Sequence, residues 1–314
     1  MREKIRLFVI GMLMGCAEVV PGVSGGTIAF VTGIYERLIT AIHRIEPSLV
    51  FRLRSNGLRA VWRYLDVTFL VTLFGGMLIA IFLFASAIKY LLYEQSILTW
   101  SFFFGLVLGS MLLVSKKMKE IDSKSGILIG CGAVFGFVIT HIAPLEITPT
   151  TVNIFLAGAI AVCAWILPGL SGSFILLILG LYHYVIDAIT SFDLTFLITL
   201  GAGCAIGIVT FAKLLDYLFK HFKDQTLSLL IGFMMGSLVK LWPWQNVTSY
   251  QLKSDGTQIP LIQNPISPWM YAELNSGSAD VTFAIAGLLL GCLGVLGLEM
   301  LSKSGGGSTI ESDK

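Results

Sequence analysis

Residues 16–42 read CAEVVPGVSGGTIAFVTGIYERLITAI, and residues 163–189 repeat this stretch as CAWILPGLSGSFILLILGLYHYVIDAI. At a constant offset of 147, 12 of the 27 aligned positions are identical. The repetition continues downstream, where DVTFLVTL at 66–73 matches DLTFLITL at 193–200. The chain therefore consists of two copies of one unit. In a membrane protein, helix-breaking motifs at matching places in two copies indicate a transport site between the halves.

The composition is that of a polytopic membrane protein. Hydrophobic residues make up 55% of the 314 residues, charged residues make up 13%, and the mean hydropathy is +0.85. A soluble domain could not cover this much apolar surface with polar atoms. The net charge of +2 is too small to indicate binding to nucleic acid. Long uncharged runs predict full membrane crossings at residues 66–92, 97–115, 125–143, 194–219, 226–241 and 280–302.

Each copy of the motif interrupts an apolar segment with a Pro-Gly pair, at Pro21-Gly22 and at Pro168-Gly169. Proline lacks a backbone N–H and disfavours helical geometry in the residue before it. Within hydrocarbon, broken backbone is tolerated only where protein or a water-filled cavity satisfies its polar groups. We therefore predict two re-entrant helical hairpins, at residues 5–43 and 152–190, whose tips reach the middle of the membrane.

Lysine and arginine are unevenly distributed between the predicted loops. If the first hairpin enters and leaves on the cytoplasmic side, the loops at 144–151 and 190–193 on the opposite side have no basic residue, and the loop at 242–279 has only Lys253. The positive-inside rule then places both termini in the cytoplasm. Each repeat makes an odd number of crossings, so the second must be inverted. The predicted fold class is an all-α polytopic membrane protein with two inverted-topology repeats, each with one re-entrant hairpin and three transmembrane helices.

The repeat boundaries follow from the same pattern. Repeat one is predicted at 1–146, repeat two at 147–302, and a flexible tail at 303–314. The basic segment at 44–65 has no full counterpart in repeat two, and it carries most of the six arginines between Arg37 and Arg63. These arginines favour an element that lies on the cytoplasmic membrane surface and attracts anionic headgroups. A plain loop that only fixes the topology fits the segment equally well.

The residues after each Pro-Gly pair are typical of an anion site. A new helix is predicted to start there, and a helix N-terminus offers unpaired N–H groups and the positive end of the helix dipole. Glycines allow close approach to the backbone, and hydroxyls add donors. The alternative is that the small residues only allow tight helix packing. The motif residues that we expect to bind substrate are Pro21, Gly22, Ser24, Gly25, Gly26, Thr27, Pro168, Gly169, Ser171, Gly172 and Ser173.

Two charges in the first hairpin have no counterpart in the second. Glu18 aligns with Trp165, and Arg37 aligns with Tyr184. Ionisable groups inside a membrane are costly, and they are usually functional or paired with one another. Arg37 is therefore a candidate phosphate ligand, although an ordinary interfacial arginine fits as well. Glu18 is a candidate carrier of a coupling proton.

The remaining polar residues predict no further chemistry. Asp66 and Asp193 each open a predicted span and are expected to be helix N-caps. The five cysteines form no CxxC pair, and the four histidines have no ligand spacing. We therefore expect buried free thiols, no metal site and no cofactor.

With these motifs, the chain resembles the bacterial membrane family long known as a domain of unknown function and now called the PopT family of polyprenyl-phosphate transporters. The resemblance covers residues 1–302, and the PGxSGG motif with its downstream Gly-x-Tyr carries it. It implies undecaprenyl phosphate as substrate, and a transporter that returns this lipid carrier from the outer to the inner leaflet for reuse in cell-wall and glycan synthesis. Membrane lipids are further partners, and a homo-oligomer is possible. Ser173 departs from the motif, since the first copy has Gly26 there.

Two other functions fit parts of the pattern. An integral-membrane phosphatase acting on prenyl diphosphate pairs hairpins with a PGxSRS-like motif, but Gly25 and Gly172 stand where that motif has arginine. The acidic pair and the histidine that such chemistry needs are also not apparent. A carrier for a small inorganic anion fits the tips as well as a lipid carrier does, and only the family resemblance disfavours it.

Overall fold

The computed structural model describes residues 2–20, 23–46, 48–118, 122–142, 145, 147–252, 258–275 and 277–304. Pro21 and Gly22, two of the predicted site residues, lie outside the described residues, as does Lys253.

The helices of the first half are α1 (Arg2–Glu18), α2 (Gly25–Val31), α3 (Tyr35–His43), α4 (Leu49–Tyr64), α5 (Val67–Glu94), α6 (Ser96–Ser115) and α7 (Ser123–His141). The second half contains α8 (Thr151–Ile166), α9 (Gly172–Ile178), α10 (Tyr182–Ser191), α11 (Leu194–His221), α12 (Lys223–Ser237), a 3-10 turn (Leu238–Leu241), β1 (Gln245–Leu252), β2 (Gln258–Pro265), α13 (Pro268–Leu274) and α14 (Val281–Ser304).

The two halves repeat one helix pattern. In the first half, α1 has 17 residues, and a non-helical segment separates it from the seven-residue helix α2. In the second half, α8 has 16 residues and is followed in the same way by the seven-residue helix α9. Gly33 and Gly180 then take positive φ values of 75° and 71° before α3 and α10. Glycine adopts this conformation without the steric cost of a Cβ atom, which explains why both copies retain it. The helices that follow, α5 and α11, have 28 residues each.

Within the described ranges, five helices are long and apolar enough to cross a membrane, namely α5, α6, α7, α11 and α14. The crossing predicted at 226–241 differs from the expectation, because α12 has only 15 residues and continues into the 3-10 turn. In the second predicted hairpin, the axes of α9 and α10 are bent by 109°. This bend fits a broken span or a re-entrant hairpin, so the orientation of each half in the membrane stays a prediction.

Close helix pairs hold the molecule together, both within and between the halves. Within the halves, α1 packs along α5 and α8 packs along α11, whereas α6 with α14 and α7 with α12 join the two halves. These pairs meet at glycines: a Cβ atom at Gly105 would collide with the carbonyl oxygen of Leu288, and one at Gly232 with that of Ile129. Small residues are what allow membrane helices to approach this closely.

Two local expectations need correction. The long loop predicted at 242–279 contains the antiparallel pair β1–β2 and α13, so the otherwise helical fold carries a small β-hairpin. The indoles of Trp242 and Trp244 donate to the carbonyl oxygens of Ile266 and Ala279, at 2.9 and 2.7 Å, and thereby tie this region down. The five cysteines are free thiols as predicted, but none is fully buried: Cys131 is exposed and the other four are partly buried.

Candidate functional site

In the first motif, the donors at the start of α2 are already occupied. Ser24 is the N-cap, and its Oγ accepts a hydrogen bond from the Gly26 N–H at 3.0 Å. The Glu18 carboxylate, on the last residue of α1, accepts from the Gly25 N–H at 2.6 Å. A carboxylate at a helix N-terminus is stabilised by the helix dipole and by the unpaired N–H groups. The protein therefore supplies its own carboxyl group as the acceptor in this half of the predicted site.

In the second motif, the corresponding position is open. Trp165 stands where the first copy has Glu18. Ser171 is the N-cap of α9, but its side chain caps no backbone group and instead shares a hydrogen bond of 2.9 Å with the Ser173 hydroxyl. Among the residues that the structure describes, the backbone N–H groups of Gly172 and Ser173 have no hydrogen-bond partner. Two hydroxyls and two backbone N–H groups thus lie together where α8 ends and α9 begins.

The two motifs touch each other. The Ser24 hydroxyl donates to the carbonyl oxygen of Trp165 at 2.9 Å, and the Gly169 N–H donates to the Thr27 hydroxyl at 3.1 Å. A Cβ atom at Gly26 would lie 2.7 Å from the carbonyl oxygen of Ile166. Segments 141 or 142 residues apart in sequence therefore meet in one crossing, which Ser24, Gly26, Thr27 and Gly169 form with the end of α8.

The second motif brings a lysine to the site that the sequence analysis had not placed there. Gly169 has a φ of +85°, and a Cβ atom there would lie 2.7 Å from the Ser237 hydroxyl. The motif thus packs against the end of α12, where the 3-10 turn carries Lys240. The Lys240 ammonium lies 5.2 Å from the centroid of the Phe174 ring, within the range of a cation–π interaction.

Lys240 forms no salt bridge within the described part of the chain. It is half-buried, and Phe174 follows directly after Ser173. The available signal in the sequence is a lone lysine at the end of an apolar segment.

Access to the crossing is unequal in the two copies. All seven residues of α2 are buried, as are Ser24 and Thr27. In α9, only Gly172, Ile175 and Ile178 are buried, and Ser173 is exposed. The second motif is therefore the open side of the site in this structure.

The structure does not bring Arg37 to the motif tips. Its guanidinium donates to the carboxylates of Asp66 and Glu3 at 2.7 and 2.9 Å and lies 4.4 Å from the centroid of the Phe69 ring. Asp66 occupies the predicted N-cap position of α5, but its side chain caps no N–H group and pairs with Arg37 instead. Asp193 does cap α11, through the Phe196 N–H at 3.1 Å.

A second polar cluster, which the sequence analysis missed, joins α3 to α11. Asp216 is 6% exposed, and its carboxylate accepts from Thr40 Oγ1 at 3.0 Å and from Lys220 Nζ at 2.6 Å. Close by, Lys223 Nζ pairs with Glu36 at 2.6 Å. A cavity of about 90 Å³ lies between these groups. The cluster brings the exit helix of the first predicted hairpin against the second half.

Comparison with known proteins identifies the family. Residues 14–259 match the family model described as undecaprenyl phosphate translocase-like. A polyprenyl-phosphate transporter of Vibrio cholerae serotype O1 (strain ATCC 39315 / El Tor Inaba N16961) is 43% identical over 289 residues, which cover 92% of this chain and 94% of the relative. A polyprenyl-phosphate transporter of Staphylococcus aureus (strain NCTC 8325 / PS 47) is 34% identical over 251 residues, which cover 74% and 84%. No solved structure matches the chain. With more than half of its length matched by the family model and most of it aligned to both relatives, the chain belongs to the undecaprenyl phosphate translocase-like family.

Proposed function

We propose that this protein transports a polyprenyl phosphate, specifically undecaprenyl phosphate, from the outer to the inner leaflet of the bacterial cytoplasmic membrane, where the carrier is reused in cell-wall and glycan synthesis. Family membership and the names of both relatives support the substrate class. The observation that carries the headgroup assignment is the open second motif, with its free donors next to an unpaired lysine.

The headgroup site that we infer is formed by Ser171, Gly172, Ser173 and Lys240. A phosphate monoester carries about −1.5 to −2 charges at neutral pH. Moving it bare into hydrocarbon is prohibitive, whereas hydroxyls, backbone N–H groups and an ammonium replace the lost water. The prenyl tail then stays in lipid beside the exposed face of α9, so that only the headgroup enters the protein.

The first motif has a different role in this proposal. Because Glu18 already bonds the Gly25 N–H, the phosphate reaches the start of α2 only if this carboxylate moves away or takes up a proton. The contacts of Ser24, Gly26 and Thr27 hold the two motifs together. These three residues form the second half of the phosphate site once Glu18 has moved away or taken up a proton. Glu18 stays our candidate for a coupling proton, and Arg37, with its two carboxylate partners, lies at the predicted cytoplasmic end of the hairpin.

Inverted topology is part of the proposal, and labelling tests it. In a variant without native cysteines, a single cysteine at Ser55 or Ser123 should react with an impermeant maleimide only after the cytoplasm is opened. A cysteine at Thr148 should react in intact cells, because its loop has no Lys or Arg to retain it inside. Finding Ser55 and Thr148 on the same side would contradict the inverted arrangement.

The helix α4 fits the membrane surface. Its main packing partner among the described helices is α5, and residues 51–59 are all exposed. Phe51 is 79% exposed and Leu58 is 70% exposed, between arginines at 52, 54, 59 and 63. A basic helix with exposed aromatic and aliphatic side chains typically lies in the headgroup region of an anionic bilayer. We infer that α4 lies on the cytoplasmic leaflet.

The expected result for α4 is a charge-dependent membrane contact. An environment-sensitive dye at Leu58→Cys should be quenched by headgroup-labelled lipid in phosphatidylglycerol vesicles, because each arginine near the surface contributes about 1 kcal/mol. Changing Arg52, Arg59 and Arg63 together to glutamine should weaken the quenching, and changing them to lysine should preserve it. Equal, weak quenching in all three proteins would show that α4 is a solvent-exposed loop element.

The proposed activity is tested in vesicles that hold the purified protein. Undecaprenyl phosphate placed in one leaflet should appear in the other only with the protein present. When added as competitors, a prenyl phosphate with a shortened tail and inorganic phosphate should both fail to slow this movement. Phosphate release from undecaprenyl diphosphate would instead identify a phosphatase. Uptake of inorganic phosphate without lipid movement would identify a small-anion carrier.

A further inference from the structure

Helix α3 of the first half packs on α11 of the second half, but the corresponding helices α10 and α5 do not form an equivalent contact. On one side, Thr40 and Lys220 bond the buried Asp216 carboxylate, and Glu36 pairs with Lys223. The ring of Tyr35 also packs edge-on against Phe219, with centroids 5.8 Å apart. By the charge asymmetry of the loops, this sealed side faces the cytoplasm.

The repeat defines what the equivalent contact would be. Helix α3 corresponds to α10 at an offset of 147, and α11 corresponds to α5 at an offset of 127, without gaps over 28 residues. Thr40 therefore corresponds to Asp187, and Asp216 corresponds to Lys89. The contact equivalent to Thr40–Asp216 would therefore be an ion pair between Asp187 on α10 and Lys89 on α5.

That counterpart is not formed in this structure. Helix α10 packs on α9 and α11 but has no comparable packing on α5. Asp187 and Lys89 are both exposed, and neither belongs to a salt bridge among the described residues. Near the end of an apolar helix, a lysine can extend its ammonium to the membrane interface, where it is available to pair with a carboxylate such as Asp187.

We propose that the protein has a second conformation in which α10 packs on α5, Asp187 pairs with Lys89, and α3 leaves α11. Transporters with inverted repeats expose their central site alternately by moving one repeat against the other. The present structure is then the form sealed at α3 and α11 and open at the second motif, where Ser173 is exposed. The inference rests on the proposed transport function, and it adds Lys89 and Asp187 as positioning residues that close the opposite side.

Disulfide trapping tests the two conformations without any substrate. In a transport-competent background without native cysteines, Thr40→Cys with Asp216→Cys should cross-link in the present form, and Lys89→Cys with Asp187→Cys in the second. Thr40→Cys with Lys89→Cys is the matched control, because this pair joins opposite sides and should never cross-link. Each productive cross-link should stop transport, and a reducing agent should restore it.

Charge reversal provides a second, independent measurement. Lys89→Asp places a like charge opposite Asp187 and should lower transport about tenfold, because like charges brought together disfavour the closed contact. Adding Asp187→Lys should restore transport to within about twofold if the two residues meet. Lys89→Arg should retain activity.

The outcomes separate this inference from the proposed function. If the Lys89 and Asp187 pair does not cross-link under conditions that cross-link Thr40 and Asp216, and the double reversal does not rescue transport, the second conformation is wrong. If both pairs cross-link but the wild-type protein moves no polyprenyl phosphate, the two conformations stand and the substrate assignment fails.

Discussion

Replacing Lys240 with glutamate should abolish the transport of polyprenyl phosphate. The Lys240 ammonium lies 5.2 Å from the centroid of Phe174, the residue directly after Ser173, and has no carboxylate partner among the described residues. A hydrogen bond to a charged group contributes about 1.5–3 kcal/mol, so its loss together with the new repulsion should lower transport by about a hundredfold or more. Initial rates in reconstituted vesicles, with the amount of folded protein measured in parallel, provide the comparison.

Two control variants separate the loss of the Lys240 charge from a general effect of charge reversal. Lys240→Arg keeps the charge and should retain most of the activity. Lys124→Glu makes the same charge reversal at an exposed residue at the start of α7, far along the chain from the motif, and should transport normally. If Lys240→Glu transports like the wild type while it is folded, the phosphate binds elsewhere and our headgroup site is wrong.

Replacing Gly26 with leucine should produce the second large effect, on both folding and transport. A Cβ atom at this position would lie 2.7 Å from the Ile166 carbonyl oxygen and 3.0 Å from the Ser24 hydroxyl. The main obstacle is backbone of the other half, which cannot rotate away as a side chain does. Overpacking of this kind costs about 1–3 kcal/mol, and here it would also separate the Ser24–Trp165 and Thr27–Gly169 hydrogen bonds.

Gly75 offers the matched control, because a Cβ atom there would meet nothing within 4 Å. Gly75→Leu in α5 should leave both the melting temperature in detergent and the transport rate near their wild-type values. Gly26→Leu should lower both, and Gly26→Ala should fall between the two. Equal behaviour of the leucine variants at Gly26 and Gly75 would mean that the crossing of the two motifs is not tightly packed.

The sequence by itself determined the features that arise from nearby residues. Two copies of one unit, the breaks before α2 and α9, the positive-φ glycines Gly33 and Gly180, and the long helices α5 and α11 all follow from local rules. A proline removes a backbone donor, glycine tolerates left-handed geometry, and an uncharged run of about twenty residues forms a membrane helix in any such protein. These signals act over a few residues, so reading along the chain finds them.

The tertiary structure alone decided which charges meet. Glu18 filling the start of α2, Lys240 approaching the second motif, Arg37 pairing away from the tips and Asp216 joining α3 to α11 each depend on helices distant in sequence. A charged side chain in an apolar segment needs some partner, but its residue type does not specify which one. The packing of α1 on α5, of α12 on α7 and of α3 on α11 makes that choice, because it sets which side chains come within hydrogen-bonding distance.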